Sequence, residues 1–345
     1  MGAVDFLWAI PVFGVLIFIH ELGHFAAAKY FGITVHEFAL GFGPAVAGFT
    51  KGETRYNLRA VPLGGFVRMA GMEDGDTEDP RGFARKPVYA RAVVIAAGPV
   101  MNFVLASLLF SVLLMFVGTS RMDTSVLGEI LTECPVGNVV KTCPASAAGL
   151  QPGDEVLTIG GKPVGDWEGL QKAVQESGGK PVTFVVRRGQ QTLEARMEPI
   201  QSEDRWMVGI RPAIRKAPFF SALGQGWVQT YEMSVGWVKG LWLMVTGQMQ
   251  AELSGPVGIT KTIAETASRG MDMLLYLTAF LSINLGLFNL LPIPALDGSR
   301  LVFLGLEGLR GRRLDPVREN MVHFVGFLLL IGLMLVITYK EVVTR

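Results

Sequence analysis

Four stretches of this chain run for about twenty residues or more without a lysine, arginine or aspartate: Phe6 to Ala28, Ala92 to Gly118, Met273 to Leu296 and Met321 to Tyr339. At a helical rise of about 1.5 Å per residue, each can cross a hydrocarbon core about 30 Å thick. A wholly water-soluble fold would leave these stretches without a lining. Composition agrees, because half of the 345 residues are apolar and only 18% are charged, against about 25% in ordinary globular domains. The mean hydropathy is +0.39. Disorder and collagen-like repeats are excluded, and 31 basic against 30 acidic residues leave no electrostatic footprint for nucleic acid. The first stretch is expected to be a span rather than a signal peptide, because Asp5 stands where a basic region belongs and the apolar run leads straight into His20-Glu21-Leu22-Gly23-His24.

Lysine and arginine in short flanks set orientation. Residues 29 to 91 hold nine (Lys29, Lys51, Arg55, Arg59, Arg68, Arg81, Arg85, Lys86, Arg91), and the loop after the third span holds Arg300, Arg310, Arg312, Arg313 and Arg318. Both loops are expected in the cytoplasm. The two termini and the long segment 119–272 are then expected on the opposite side of the membrane. Cys134 and Cys143 fall in that outer segment, where an oxidising compartment would let them pair; two free thiols are the alternative.

Between about Val126 and Pro199, β-branched runs such as Val182 to Val186 and Thr192 to Met197 alternate with Gly and Pro turns, the pattern of a small α/β domain. Asp166 is a candidate N-cap for a helix carrying Leu170, Ala173 and Val174 and ending near Gly178-Gly179. The run Ala147-Ala148-Gly149-Leu150-Gln151-Pro152-Gly153-Asp154-Glu155-Val156-Leu157, followed by Ile159-Gly160-Gly161-Lys162-Pro163-Val164, resembles the centre of a bacterial PDZ domain. Such a domain takes an extended peptide onto a sheet edge; a steric gate is the other use it could have here. Residues 217–251 mix apolar residues with Glu232, Lys239 and three tryptophans, Trp227, Trp237 and Trp242. An amphipathic helix on the outer surface is expected, with a fifth span as the alternative. The expected units are 1–118, 119–216, 217–270 and 271–345.

His20, Glu21 and His24 interrupt an apolar span, where each is costly without a partner or a function. Four residues apart on a helix, the two imidazoles share one face, the spacing that holds one zinc ion with the intervening glutamate as general base. A catalytic zinc takes three protein ligands and a water. His36 and His323 are candidates, although each stands alone in sequence. Asp297 is the better one, since Pro292 and Pro294 must end the third helix just before it and such a break at membrane depth has to be buried or line a wet cavity. A helix-capping or turn role is the alternative for Asp297.

Several motifs now stand together. They are the HExxH span, Gly98-Pro99 and Asn102 in the second span, Ser254-Gly255-Pro256-Val257-Gly258 before the third, and Asn289-x-x-Pro292-x-Pro294-x-Leu296-Asp297-Gly298 at its end. In this order the chain resembles the site-2 protease family over its whole length, in the bacterial branch typified by the regulator of sigma-E protease. It differs from the best-known members in having room for one PDZ domain rather than two. The resemblance implies a polytopic α-helical membrane protein with four transmembrane helices, a re-entrant β element and one inserted PDZ-like α/β domain. It implies an intramembrane metalloprotease of the bacterial inner membrane, with one zinc per chain on His20, His24 and Asp297, Glu21 activating water, and Asn284 and Asn289 holding substrate or the oxyanion. Its partners would be the lipid bilayer and single-span membrane proteins pre-cleaved by a site-1 protease, anti-sigma factors above all and remnant signal peptides. Residues Arg55 to Met69 resemble the family's re-entrant β-loop, which makes Asn57, Arg59, Val61, Gly64 and Gly65 candidate substrate contacts through a strand edge. A transporter also places His, Glu and Asp in the membrane, but it is expected to show internal repeats, and this chain has none visible; a non-catalytic scaffold would have no use for an intact HExxH.

Overall fold

The computed structural model describes residues 3–72, 79–136, 139–202, 205–249, 255–312 and 316–343. Ser254 and Arg313 lie outside the described residues. Two units are distinguished, one made of residues 1–113 and 219–345 and the other of residues 114–218.

In the first unit a 3₁₀ turn, Ala3–Trp8, leads into α1 (Ala9–Tyr30). Apart from His20, Glu21, His24 and Lys29, this helix is apolar on every side, as a membrane span or a deeply packed helix must be. After it come two long strands, β1 (Val35–Lys51) and β2 (Thr54–Met69), each bent so that the pair forms a four-segment sheet in which 35–40 and 55–58 run side by side in the same direction and the outer pairings are antiparallel. Residues 35–40 pair on one side with 65–69 and on the other with 55–58, and 55–58 pair again with 47–51. Segment 65–69 is therefore an edge, and 55–58 is interior. Glu37 is buried in this sheet and accepts hydrogen bonds from Asn57 Nδ2 at 2.6 Å and Arg59 Nη2 at 2.5 Å, with Arg68 3.7 Å away. Helix α2 (Val88–Phe116) contains Pro99, which has no N–H to offer the carbonyl of Ile95.

The second unit holds the short strands β3 (Thr119–Ser120), β4 (Leu127–Ile130), β5 (Glu133–Val136) and β6 (Val139–Thr142), then α3 (Pro144–Ala147), β7 (Glu155–Ile159) and β8 (Lys162–Pro163). Helix α4 (Trp167–Glu176) follows, then β9 (Val182–Arg188), β10 (Gln191–Met197), β11 (Ile200–Ser202), β12 (Arg205–Met207), β13 (Ile210–Pro212) and β14 (Ile214–Arg215). Its main sheet has the order β10-β9-β7-β8. Phe184, Val186, Val156 and Leu127 from the strands pack with Trp167, Leu170 and Val174 from one face of α4 into one core. The expected cap is present: Asp166 Oδ1 accepts the Gly169 N–H at 2.7 Å. Asp154, fully buried, is held by the guanidinium of Arg188 at 2.7 Å and by the Gln151 N–H at 2.9 Å. Cys134 and Cys143 form a disulfide. Between α4 and β12 lies a cavity of about 530 Å³ lined by Trp167, Val174 and Trp206. There the Gln175 amide occupies the main chain of Trp206, accepting from its N–H at 3.0 Å and donating to its carbonyl at 2.7 Å.

The chain re-enters the first unit as α5 (Phe219–Val245), α6 (Pro256–Arg269), α7 (Met271–Leu290), α8 (Asp297–Arg310) and α9 (Pro316–Val343). Helices α2 and α7 are antiparallel neighbours, since Phe110 meets Tyr276 at one level while Phe103 and Pro99 meet Gly286 at another. Helix α5 follows both. Gly226 lies against the backbone of Ser107 and Ser111, and the Trp237 ring is 4.9 Å from that of Phe288. Among the described residues four helices are long and apolar enough to cross a membrane, at Phe6–Tyr30, Val88–Phe116, Met271–Leu290 and Glu319–Val343. Helix α7 stops at Leu290, six residues short of the expected span, because Leu291 turns to an extended backbone ahead of Pro292. What the sequence offers as a basic loop begins instead with α8, which buries Leu304 on its inner face.

Candidate active site

Two glycine contacts set the framework of the site. Gly23 on α1 lies against the Ala97 carbonyl of α2, so that a methyl there would overlap that backbone. On the other helix, Gly98 leaves the space that the imidazole of His24 fills, with a hypothetical Cβ only 2.5 Å from Cε1. Both histidines are buried against α2. His24 Nδ1 donates to the Val94 carbonyl at 2.8 Å, which places the ring proton on Nδ1 and leaves the Nε2 lone pair free. His20 Nδ1 lies 3.1 Å from the side-chain amide of Asn102, a fully buried residue whose other amide atom, Oδ1, has no partner. Amide O and N exchange places on rotation of the group. With Oδ1 turned to the ring, Asn102 accepts the Nδ1–H of His20 and frees Nε2 in the same way.

The free atoms converge. His20 Nε2 and His24 Nε2 are 3.2 Å apart, and Asp297 Oδ2 is 3.2 Å from the first and 3.3 Å from the second. Asp297 comes from the first turn of α8, beyond the proline break, and its Oδ2 is buried with no hydrogen-bond donor. For a tetrahedral ion with ligand distances of about 2.0 to 2.1 Å, neighbouring ligand atoms stand about 3.3 Å apart. The three residues fit a zinc ion by chemistry and by spacing.

Around this triangle lies a cavity of about 360 Å³ lined by Glu21, Gly65, Phe66, Asn289, Ala295 and Arg300 among others. Gly65, on the sheet edge, is packed so closely that a methyl there would stand 3.1 Å from Cγ of Glu21 and 2.9 Å from Ile17. Of the residues singled out in the sequence, the structure thus brings together His20, Glu21, His24, Asp297, Asn289 and Gly65. It places the others elsewhere. Asn57 and Arg59 are spent on Glu37, and Arg59 also donates to the Gly43 carbonyl at 2.6 Å. Val61 pairs with Phe42, and Gly64 lies under the ring of Phe42. Asn284 is five residues before Asn289 on α7 and so points to a different side of the helix. It lines a second, apolar cavity of about 680 Å³ with Trp237 and Met244 of α5, Ile259 of α6 and Phe280 and Phe288 of α7. Its Oδ1 is buried without a partner. Sequence reasoning passes over Val94, whose carbonyl has no side-chain signature, and counts Arg300 only among the basic residues that set orientation. His323 belongs near the proline break rather than at the metal triangle.

A metal-dependent hydrolase set among membrane-length helices is the class this arrangement defines. The chain matches the model of peptidase family M50 over residues 8–333 and belongs to that family, the site-2 proteases. It is 34% identical to the zinc metalloprotease RasP of Geobacillus kaustophilus, over 96% of each chain. It is 37% identical to a putative zinc metalloprotease of Clostridium perfringens, over 98% of each. With the regulator of sigma-W protease RasP of Bacillus subtilis the identity is 32%, over 96% of this chain and 97% of the relative. The chain is an intramembrane metalloendopeptidase with zinc as its cofactor, in keeping with the HExxH span.

Proposed function

We propose that His20, His24 and Asp297 hold the zinc and that Glu21 is the general base of peptide-bond hydrolysis. The observation that carries this is the triangle of Nε2, Nε2 and Oδ2 atoms 3.2 to 3.3 Å apart, with the other nitrogen of each histidine already engaged. When bound, zinc supplies Lewis-acid polarisation of the scissile carbonyl and lowers the pKa of water. Glu21 takes the proton of the attacking water and hands it to the leaving amine nitrogen, so that the peptide bond opens to a carboxylate and an amine. A helix in lipid shields its own backbone, and an unwound stretch must find new partners for its N–H and C=O groups. Segment 65–69 offers them as the free edge of the sheet beside Glu21. This relocates the pairing edge away from Asn57, Arg59 and Val61, which lie inside the sheet or at its bend. Asn289 holds the substrate backbone on the metal side, and Asn284 offers its unpaired Oδ1 on the other.

The substrate we propose is a single-span membrane protein of the anti-sigma-factor type, shortened beforehand by a site-1 protease, with remnant signal peptides as a second source. The sigma-W role in the name of the Bacillus subtilis relative supports it. The basic loops set the active site toward the cytoplasm, and the termini and residues 119–216 on the outer side of the bacterial inner membrane. That outer unit is read as a PDZ-like domain. The edge that a peptide would join is taken by Gln175, which favours a steric gate over a peptide receptor.

The test is zinc per chain and cleavage of a single-span reporter for detergent-purified wild type, H24A, D297N and E21Q. Wild type and E21Q are expected to carry about one zinc, and H24A and D297N little. E21Q is expected to lose cleavage by about 10²- to 10⁴-fold, the usual worth of a positioned base. Full zinc in D297N, or full activity in E21Q, overturns the assignment.

A further inference from the structure

Ala295 is the only residue other than glycine with a positive φ among the described residues, at +74°. A side chain with a Cβ rarely adopts that conformation, and it persists only where the surroundings over-determine it. The strained residue stands two before Asp297, in the turn that ends α7 and starts α8. The turn's own bonds are local: Ile293 N–H to Leu291 O at 2.7 Å, Leu296 N–H to Ile293 O at 3.1 Å and Ser299 Oγ to Leu296 O at 2.8 Å. The Ala295 N–H has a different destination. It donates to Nδ1 of His323, on α9, at 3.2 Å.

Helix α9 is otherwise largely exposed, as a peripheral membrane span is, yet two of its residues, His323 and Gly326, meet this turn, and Glu319 lies on the same side of the helix. Glu319, His323 and Gly326 follow at i, i+4 and i+7 and so share a face. Gly326 admits Pro294, since a methyl there would stand 2.9 Å from the Pro294 carbonyl carbon and overlap its Cβ. The Phe303 ring of α8 meets the His323 ring edge-on, 5.7 Å between centroids. For Nδ1 to accept, the ring must be neutral with its proton on Nε2, the atom that lies 3.9 Å from Glu319 Oε1.

We infer that His323 is a positioning residue: its Nδ1 holds the Ala295 turn in its left-handed conformation and so presents Asp297 to the pair His20 and His24. This rests on Asp297 being a zinc ligand. Bonds that orient a metal ligand are each worth about 10- to 100-fold in metal affinity, which sets the scale.

The test is zinc affinity by chelator competition on the full chain in detergent, with thermal unfolding alongside, for wild type, D297N, H323L, H323N, H323Q, A295G and the double variant A295G/H323L. Asparagine puts an acceptor oxygen on Cγ, where Nδ1 was; glutamine carries it one atom too far. H323L and H323Q are expected to bind zinc about 10- to 100-fold more weakly, and H323N within about 3-fold of wild type. Glycine needs no clamp at φ +74°, so A295G is expected to restore most of the affinity lost in H323L. If H323L binds as wild type does while D297N does not, or if H323N is as weak as H323L, the inference falls and the zinc assignment stands. If D297N itself binds as wild type does, the assignment of Asp297 falls first. Should H323L fail to fold, H323N and H323Q decide: equal affinities refute the acceptor role, and unequal ones in the expected order support it.

Discussion

Replacing Gly98 by alanine puts the zinc assignment at risk without touching a ligand. The added methyl stands 2.5 Å from Cε1 of His24, about 1 Å inside the ~3.5 Å at which carbon atoms rest comfortably. Helix α2 has little room to yield, because its Ala97 carbonyl is already in contact with Gly23 of α1. The imidazole has to retreat by about 1 Å, several times the roughly 0.2 Å tolerance of a zinc–ligand distance. It must also stretch its 2.8 Å bond to the Val94 carbonyl. Loss of one good ligand is expected to weaken zinc by at least about 100-fold, or about 2.7 kcal/mol. The helix itself gains from the change, since alanine is favoured over glycine inside a helix by about 1 kcal/mol. The signature is therefore selective: zinc lost in chelator competition and reporter cleavage abolished, with the melting temperature of the metal-free chain moved by only a few degrees. A G98A chain that keeps about one zinc at wild-type affinity would refute the packing argument and the placing of His24 with it.

Three further outcomes are expected. Removing one side of the buried fork between Arg91 and Glu307, whose bonds are 2.9 and 2.6 Å, should cost about 3 to 5 kcal/mol. Because α8 carries Asp297, R91A should lose zinc as well as melting temperature, and the exchange R91E/E307R should recover part of both. E37Q weakens the bonds to Asn57 and Arg59 and should destabilise the sheet by about 1 to 3 kcal/mol, raising KM and the proteolytic sensitivity of residues 35–69 while zinc content stays unchanged. In the second unit the hydrogen bond from Arg188, opposed by burial and aided by the Gln151 N–H, holds the Asp154 carboxyl below its ordinary range. The unfolded chain then binds the proton more readily than the folded one, so the contribution is complete above about pH 5 and is lost as pH falls below about 4. Hydrogen exchange of residues 114–218 in the full chain between about pH 3 and 6 should show that loss, and D154N should flatten it.

What could be read from the sequence was local and periodic. The i, i+4 histidines, the four apolar runs and the Asp166 cap each live within a few helical turns, and Pro292 and Pro294 announce the break before Asp297 by their own covalent structure. The double fold of β1 and β2 was hidden because it depends on which of two partners residues 35–40 choose, and they choose both. Asn57 and Arg59 therefore look available in sequence, although Glu37, some twenty residues earlier, engages both. His323 stands alone for the same reason: its partner is an amide proton 28 residues away, and a backbone N–H leaves no mark in a sequence. The helix that begins at Asp297 is obscured by its composition. Leu301 and Leu304 start an apolar stripe, but the next two positions on that face are Gly305 and Gly308, so the periodicity fades after one turn.

If substrate pairs with the sheet edge at residues 65–69, as proposed, that edge sets what such an enzyme can discriminate. A strand edge makes its bonds with main-chain groups that nearly all amino acids share, so pairing there ranks candidate segments by the cost of giving up helix rather than by their side chains. Glycine, serine, asparagine or proline inside a span lowers that cost, and an uninterrupted run of leucine raises it. Neighbouring membrane proteins in the same bilayer would then be spared by the strength of their own helices, and the vulnerable ones marked by a weak turn at the right depth.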